Sequence, residues 1–228
     1  MNCCSIETSG TDKFFSKHAK RYAKQFRKKG LDKCQKMLVA GVSRPGLQSK
    51  NILEIGCGVG GLHLSLLKQG ARQAFGVEIS KGMLEQARTL AAEMGLVDRA
   101  TYRLGDFVLM NGDGSMEADD SVPECEITVL DKVICCYEDW KTLVAKSLAK
   151  TSETYAVSYP RPVWYTRLFF SAATAVARIF RWSFHPFYHD SESIQRFIQS
   201  HGFEKRYENQ TIVWLVLVFQ KQQGELFP

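Results

Sequence analysis

Four short stretches hold the residues able to do chemistry. The first is EIGCGVGG, residues 54–61. Glycines crowded behind an apolar run let a ligand come close to the backbone, and a helix starting there aims free N–H groups at it. Glu54 stands two residues before Gly56, inside the apolar run. A carboxylate there suits a ligand bearing an ammonium or sulfonium charge and repels a pyrophosphate. Glu78 closes a second apolar run, where a carboxylate can accept hydrogen bonds from two ribose hydroxyls. Gly105-Asp106-Phe107 closes a third, where an acid can meet an adenine amino group and a ring can stack on the base. The fourth stretch is LDKVICCYEDW, residues 130–140, with Cys135 beside Cys136. Neighbouring side chains point about 100° apart in a helix and to opposite faces in a strand, so the two thiols do not easily share one ligand. A disulfide between sequence neighbours is strained. The expectation is a pocket wall, with Asp131 on the ligand side and Tyr137 toward a second reactant.

These residues need a scaffold that brings the ends of several strands together. Apolar runs at 51–56, at QAFGVEIS, at RATYRLGDF, at 126–131 and at ETYAVSYP alternate with helical patterns at GGLHLSLLKQGA, KGMLEQARTLAAEMGL and DWKTLVAKSLAKT. That alternation predicts a parallel sheet covered by helices on both faces. After the helix SIQRFIQSHGF, two strands follow so closely that they must pair antiparallel. Ahead of the sheet, residues 11–29 read as an amphipathic helix with Thr11 as N-cap and Gly30 as stop, and Leu31 to about Ala40 as a second. SRPGLQSK, residues 43–50, marks a boundary between a basic N-terminal helical cap (1–45) and the main domain (46–228).

The bulk properties leave the function classes open but restrict the setting. The 228 residues carry a net charge of +6, and residues 12–36 alone hold ten Lys or Arg against two Asp. That segment can attract an anion or simply form a solvated helix face. Seven cysteines without regular spacing do not form a disulfide framework, which favours a reducing cytoplasm. The apolar run at 168–177 is too short to span a bilayer, and the N-terminus lacks the core of a secretory signal.

The set LEIGCGVG (53–60), GVEIS with MLEQAR (76–80 and 83–88), GDF (105–107) and LDKV (130–133) resembles the class I S-adenosylmethionine-dependent methyltransferases over about residues 50–221. The resemblance implies a Rossmann-like sheet of seven strands, the last antiparallel, with S-adenosyl-L-methionine as cofactor. By resemblance the loop Gly56, Cys57, Gly58, Gly60 passes under the methionine part. Glu54 belongs to the same site, Glu78 and Ile79 hold the ribose, Asp106 and Phe107 meet the adenine, and Asp131 lies near the methyl end. Tyr22 and the Phe14–Phe15 pair of the N-terminal helix are candidates for closing over the cofactor. The reaction expected is in-line transfer of a methyl group to a small molecule, which needs alignment and exclusion of water more than a catalytic triad. No catalytic residue and no metal site stands out.

The acceptor is less legible. An Asn/Asp-Pro-Pro-aromatic motif, the mark of enzymes that methylate base amines or glutamine amides, is absent from LDKVICCY. No Asp-Asn pair accompanies Asp131, so a magnesium-dependent catechol mechanism is not expected. A looser similarity links the glycine motif and an aromatic insertion at 159–190 to the magnesium-protoporphyrin O-methyltransferases. The insertion offers Arg161, Trp164, His185 and His189 as acceptor contacts, beside Cys135 and Tyr137. It reads as an aromatic lid, a core helix pair, or a membrane-surface element over 163–187. His185 and His189 as a metal pair would need a third ligand. Alternatives to the small-molecule enzyme are a metalloid or thiol methyltransferase using Cys57 and Cys135 or Cys136, an RNA methyltransferase guided by the basic segment, and a non-catalytic cofactor-binding partner subunit. Nucleic acid is the less expected partner, and oligomeric state is not readable.

Overall fold

The computed structural model describes residues 4–110, 122–179 and 186–222, with side chains over 10–110, 122–176 and 186–222. Seven strands form one sheet: β1 (Asn51–Ile55), β2 (Gln73–Glu78), β3 (Ala100–Leu104), β4 (Cys125–Asp131), β5 (Thr151–Pro160), β6 (Phe203–Gln210) and β7 (Trp214–Lys221). Their order is β3-β2-β1-β4-β5-β7-β6, and β7 is the one strand that runs antiparallel to both its neighbours. This is the Rossmann-like arrangement expected, with the terminal hairpin closing the sheet. β1 pairs with β2 on one side and β4 on the other, so the chain reverses its direction of progress at the β1–β4 gap. Ligands of open parallel sheets bind at such a point, beyond the carboxyl ends of the strands.

Successive strand residues face opposite sides. Ile52, Ile127, Val129, Ala156, Val216 and Val218 face one core, shared with α2 (Lys33–Ser43), α3 (Gly61–Lys68) and α4 (Lys81–Glu93). Leu53, Leu130, Val157, Leu217 and Phe219 face the other, with α5 (Trp140–Ala149) and α7 (Ser191–Ser200). Burial runs nearly unbroken along the second half of β5 and the middle of β4, as expected of strands covered on both faces. The second N-terminal helix thus shares the core of the sheet: Cys34, Leu38 and Val42 are buried against it.

The first helix departs from the sequence reading. α1 spans Cys4–Lys29, so Thr11 is inside the helix and is not its N-cap. The propensity signal at Thr11 was overridden because the preceding residues continue the same turn. Gly30 ends α1 with φ +66°, a conformation that favours glycine, and its amide donates to Phe26 O at 2.7 Å. α2 starts later than expected, because Asp32 caps it: the Asp32 carboxylate accepts from Gln35 N, and the Gln35 side chain returns a bond to Asp32 N. Such a cap contributes about 1 kcal/mol. α6 (Trp164–Ile179) fills part of the aromatic insertion.

Candidate active site

The glycine loop leaves β1 in a path only small residues follow. Gly56, Gly58 and Gly60 all have positive φ, and a Cβ on Gly56 would stand 2.4 Å from Val133. Gly58 faces open space and donates its N–H to Glu78 Oε2 at 2.7 Å. Glu78 Oε1 accepts from Ser80 N at 2.9 Å. One carboxylate therefore ties the β1 loop to the end of β2. Burial holds the Glu78 carboxyl above the ordinary range, although its backbone N–H partners pull the other way.

Glu54 is buried at the centre of the sheet. Its Oε2 lies 2.6 Å from His63 Nδ1 and accepts from His63 N at 3.2 Å. His63 Nε2 is 3.0 Å from the Tyr102 hydroxyl. The Tyr102 hydroxyl in turn donates to Ala87 O at 3.4 Å, so the polar chain runs from Glu54 through His63 and Tyr102 to α4. Burial raises the Glu54 carboxyl, and the His63 bond opposes that. His63 is not evident from the sequence alone. Its signal, a lone histidine nine residues after the acid and one turn into α3, has no meaning until the loop folds back.

A cavity of about 700 Å³ opens at the carboxyl ends of β1, β2, β3 and β4. Glu54, the loop from Gly56 to Val59, Glu78, Ile79, Asp106, Phe107, Asp131, Cys136 and Tyr137 all line it. α1 covers one side with Phe15, Tyr22, Gln25 and Phe26. Phe14 does not line it. α1 is held there by polar ties to α4: Ser16 Oγ stands 2.9 Å from Ser80 Oγ and accepts from Gly82 N, and Arg27 forms a paired bond with Glu93.

Beyond β4, Asp131 accepts from Ser158 Oγ at 2.6 Å and Gln35 Nε2 at 3.1 Å. The next residue, Lys132, adopts φ +61°, a left-handed backbone that costs a side-chain-bearing residue about 1 kcal/mol. Its amide bonds Ser158, and its ammonium meets Asp32 at 2.7 Å and Asp131 at 3.4 Å. Burial opposes its charge, but Asp131 and Asp32 prevail and keep its pKa above that of an ordinary lysine. Lys132 is the sole basic residue among the described residues lining the cavity, facing the acids Asp32, Glu54, Glu78, Asp106, Asp131, Glu138 and Asp139.

Several expected acceptor contacts are placed elsewhere. Cys135, expected to face the acceptor, is buried behind the wall with its thiol toward Lys132 O; Cys136 lines the cavity in its place. The two sit in one tight helical turn, Ile134–Cys136, and both thiols reach Lys132 O, at 3.4 and 3.5 Å, yet of the two Cys136 borders the cavity. Tyr137, expected toward the acceptor, turns to the acid after β3: its hydroxyl donates to Asp106 Oδ1 at 2.8 Å. Arg161 is spent on the carbonyls of Thr211 and Ile212, and Trp164 projects outward from α6. His189 lies outside the cavity, its Nε2 2.8 Å from Tyr137 O, and burial lowers its pKa. His185 falls outside the described residues. Of the described part of the insertion, Phe187 alone lines the cavity. Cys57 and Cys136 both line it, and their thiols are held well above the ordinary value, Cys57 by burial and the Glu78 and Glu54 charges, Cys136 by its bond to Cys135 and by burial. Among the described residues no group of three His, Cys, Asp or Glu is placed to hold a metal ion.

A family model described as "Methyltransferase domain" matches residues 52–136, the stretch that builds the glycine loop, Glu78, Asp106 and the β4 end. A probable tocopherol O-methyltransferase, chloroplastic, of Oryza sativa subsp. japonica is 35% identical over 57 residues, covering 25% of this chain and 16% of that protein. Norajmaline N-methyltransferase of Rauvolfia serpentina is 34% identical over 89 residues, 39% of this chain and 30% of that protein. The matches thus span less than a third of these curated relatives. Among solved structures, magnesium protoporphyrin IX methyltransferase from Synechocystis PCC 6803 with bound SAM superposes with TM-score 0.69 at 15% identity, over 97% of this chain and 100% of that one. An O-methyltransferase family protein from Burkholderia thailandensis gives 0.64 at 10% identity, over 84% and 57%. At such identities the likeness establishes the fold.

Proposed function

We propose that this protein is a class I S-adenosylmethionine-dependent methyltransferase acting on a small-molecule acceptor. The observation that carries the reading is the convergence of Glu54, the Gly56–Gly60 loop, Glu78 and Asp106 on one cavity at the sheet's switch point. The donor and acceptor set fits the cofactor: an open glycine turn for a close backbone approach, and three acids from three neighbouring strand ends for an ammonium, a ribose and an adenine. The methyltransferase relatives above support the same assignment.

When bound, the cofactor supplies a methyl group already activated on a sulfonium. The protein's part is to hold and align. Glu78 keeps the loop closed through Gly58 N while retaining acceptor capacity for hydroxyls. His63 occupies Glu54 Oε2 and leaves Oε1 for a cation. Phe15, Phe26, Val133 and Phe187 line the cavity and exclude water. Asp131, steadied by Gln35 and Ser158, places a carboxylate at the β4 end without a free rotor.

A cytoplasmic location belongs to this reading, supported by the free thiols of Cys34, Cys57, Cys125, Cys135 and Cys136. Among the described residues no helix is long and apolar enough to cross a membrane. The test is calorimetry and thermal melting with S-adenosylmethionine. Wild type should be stabilised. Glu78→Ala should lose about tenfold or more in affinity, the scale of hydrogen bonds to a buried charge. An absent thermal shift in wild type would refute the proposal.

A further inference from the structure

We propose that α6 docks this protein onto the surface of an anionic lipid bilayer. α6 has one side committed to the protein. Phe170 packs edge-on to Trp214, and the buried Thr166 hydroxyl bonds Arg161 O and Val163 O. The other side is open to solvent: Trp164 is 76% exposed, Leu168 62%, Phe169 66% and Val176 40%. Residues 164, 168, 172, 175 and 176 fall on one stripe by helical spacing, with exposed Ala172 and Ala175 between the large side chains. Ile212, 77% exposed, belongs to the turn fixed beside the start of α6, because Tyr165 and Arg161 both bond its carbonyl. Single exposed apolar residues are ordinary on a protein surface, whereas a concentration of them marks a contact site.

Charge selects the occupant. Residues 159–189 contain four arginines and no Asp or Glu. Arg167 is exposed on α6 itself, with its guanidinium 5.8 Å from the Tyr188 ring centre. An apolar helix face flanked by an exposed arginine and free of acids is the composition of an interfacial helix: the apolar side chains enter the acyl boundary and the Arg167 guanidinium meets lipid phosphate. A second copy of this chain would instead bring Arg167 against an α6 that offers it no acid. The same insertion reaches the cavity wall, since Phe187 N donates to Cys135 O at 2.7 Å and Thr174 Oγ1 to Pro186 O at 2.6 Å. A docked α6 would therefore hold one wall of the cavity near the lipid surface. Docking itself does not depend on the reaction proposed above.

The test is sedimentation of the full chain with vesicles of phosphatidylcholine, alone or doped with phosphatidylglycerol. Wild type should sediment with the doped vesicles, with a blue shift of tryptophan emission, and should release as salt rises. The triple variant Trp164→Ser, Leu168→Ser, Phe169→Ser should lose about tenfold or more in partitioning, because three apolar side chains no longer leave water. All three project outward, so its melting temperature should match wild type. Arg167→Glu, which keeps the apolar face, should weaken binding to the doped vesicles alone. Failure of wild type to sediment with either vesicle, or equal sedimentation of the triple variant, would overturn the proposal. So would a lipid-free dimer that the triple variant converts to monomer, which would assign the face to a second copy.

Discussion

His63 Nδ1 lies 2.6 Å from Glu54 Oε2, with neither side chain open to solvent. The pair joins the middle of β1 to the first turn of α3 and so braces the glycine loop from beneath. His63→Ala leaves a buried carboxyl without its imidazole partner, and the expected loss is about 1–3 kcal/mol of stability, read by chemical denaturation. A double-mutant cycle with Glu54→Gln should show coupling of more than about 0.5 kcal/mol. Additive losses would mean that the pair is incidental.

Acidity should act on the cavity with a definite sign. Burial raises the carboxyls of Glu54 and Glu78 above the ordinary range. The folded free protein thus keeps protons that the unfolded chain gives up. These two groups favour folding fully below the ordinary carboxylate range, and that contribution is lost as pH rises through the raised values. A cationic cofactor prefers the charged carboxylates, so its affinity should be full above the raised values and decline as pH falls through them. Titration calorimetry across mildly acidic to neutral pH should also show proton release on binding, and affinity that is flat over this range would contradict the assignment.

Tyr137→Phe tests whether this phenol serves the cofactor side. Loss of a bond to the Asp106 carboxylate should cost about 1.5–3 kcal/mol of stability and weaken cofactor binding, leaving turnover at saturating cofactor unchanged. A fall in turnover with unchanged cofactor affinity would return Tyr137 to the acceptor, where the sequence alone had suggested it.

Cys57→Ser and Cys136→Ser should keep turnover within about threefold of wild type, because both thiols sit well above their ordinary pKa and behave as small apolar groups. A rate assay on the double variant decides this. Collapse of activity in a folded, cofactor-binding protein would instead make the two thiols acceptor ligands.

Much of the scaffold was legible because burial on both faces writes continuous apolar runs, and amphipathic helices write a 3.6-residue period between them. Glu54, Glu78 and Asp106 stand out in the sequence because each ends or interrupts such a run near a glycine. What escaped depended on side chains meeting across long sequence separations. The Gln35–Asp131 bond joins residues 96 apart, and Glu54–His63 requires the loop to turn back on itself. Neither leaves a local pattern. Choosing between Cys135 and Cys136 needed the phase of a three-residue turn, which hydrophobicity cannot supply when both positions are cysteine. The insertion stayed open between three readings for another reason: an aromatic-rich helix has the same composition whether it packs over a cavity or turns outward.

The position of β6 at the sheet's open edge bears on how this protein survives at high concentration. A free edge strand is a template for another strand. β6 carries Glu204, Lys205, Arg206 and Glu208 along that edge, with ion pairs Arg206–Glu204 and Lys205–Glu208 within the strand itself. Incoming backbone would have to strip water from four charged side chains that are already paired. The rim of the sheet thereby resists strand-by-strand growth into aggregates, and the chain can carry exposed apolar surface on α6 without joining it to a sticky edge.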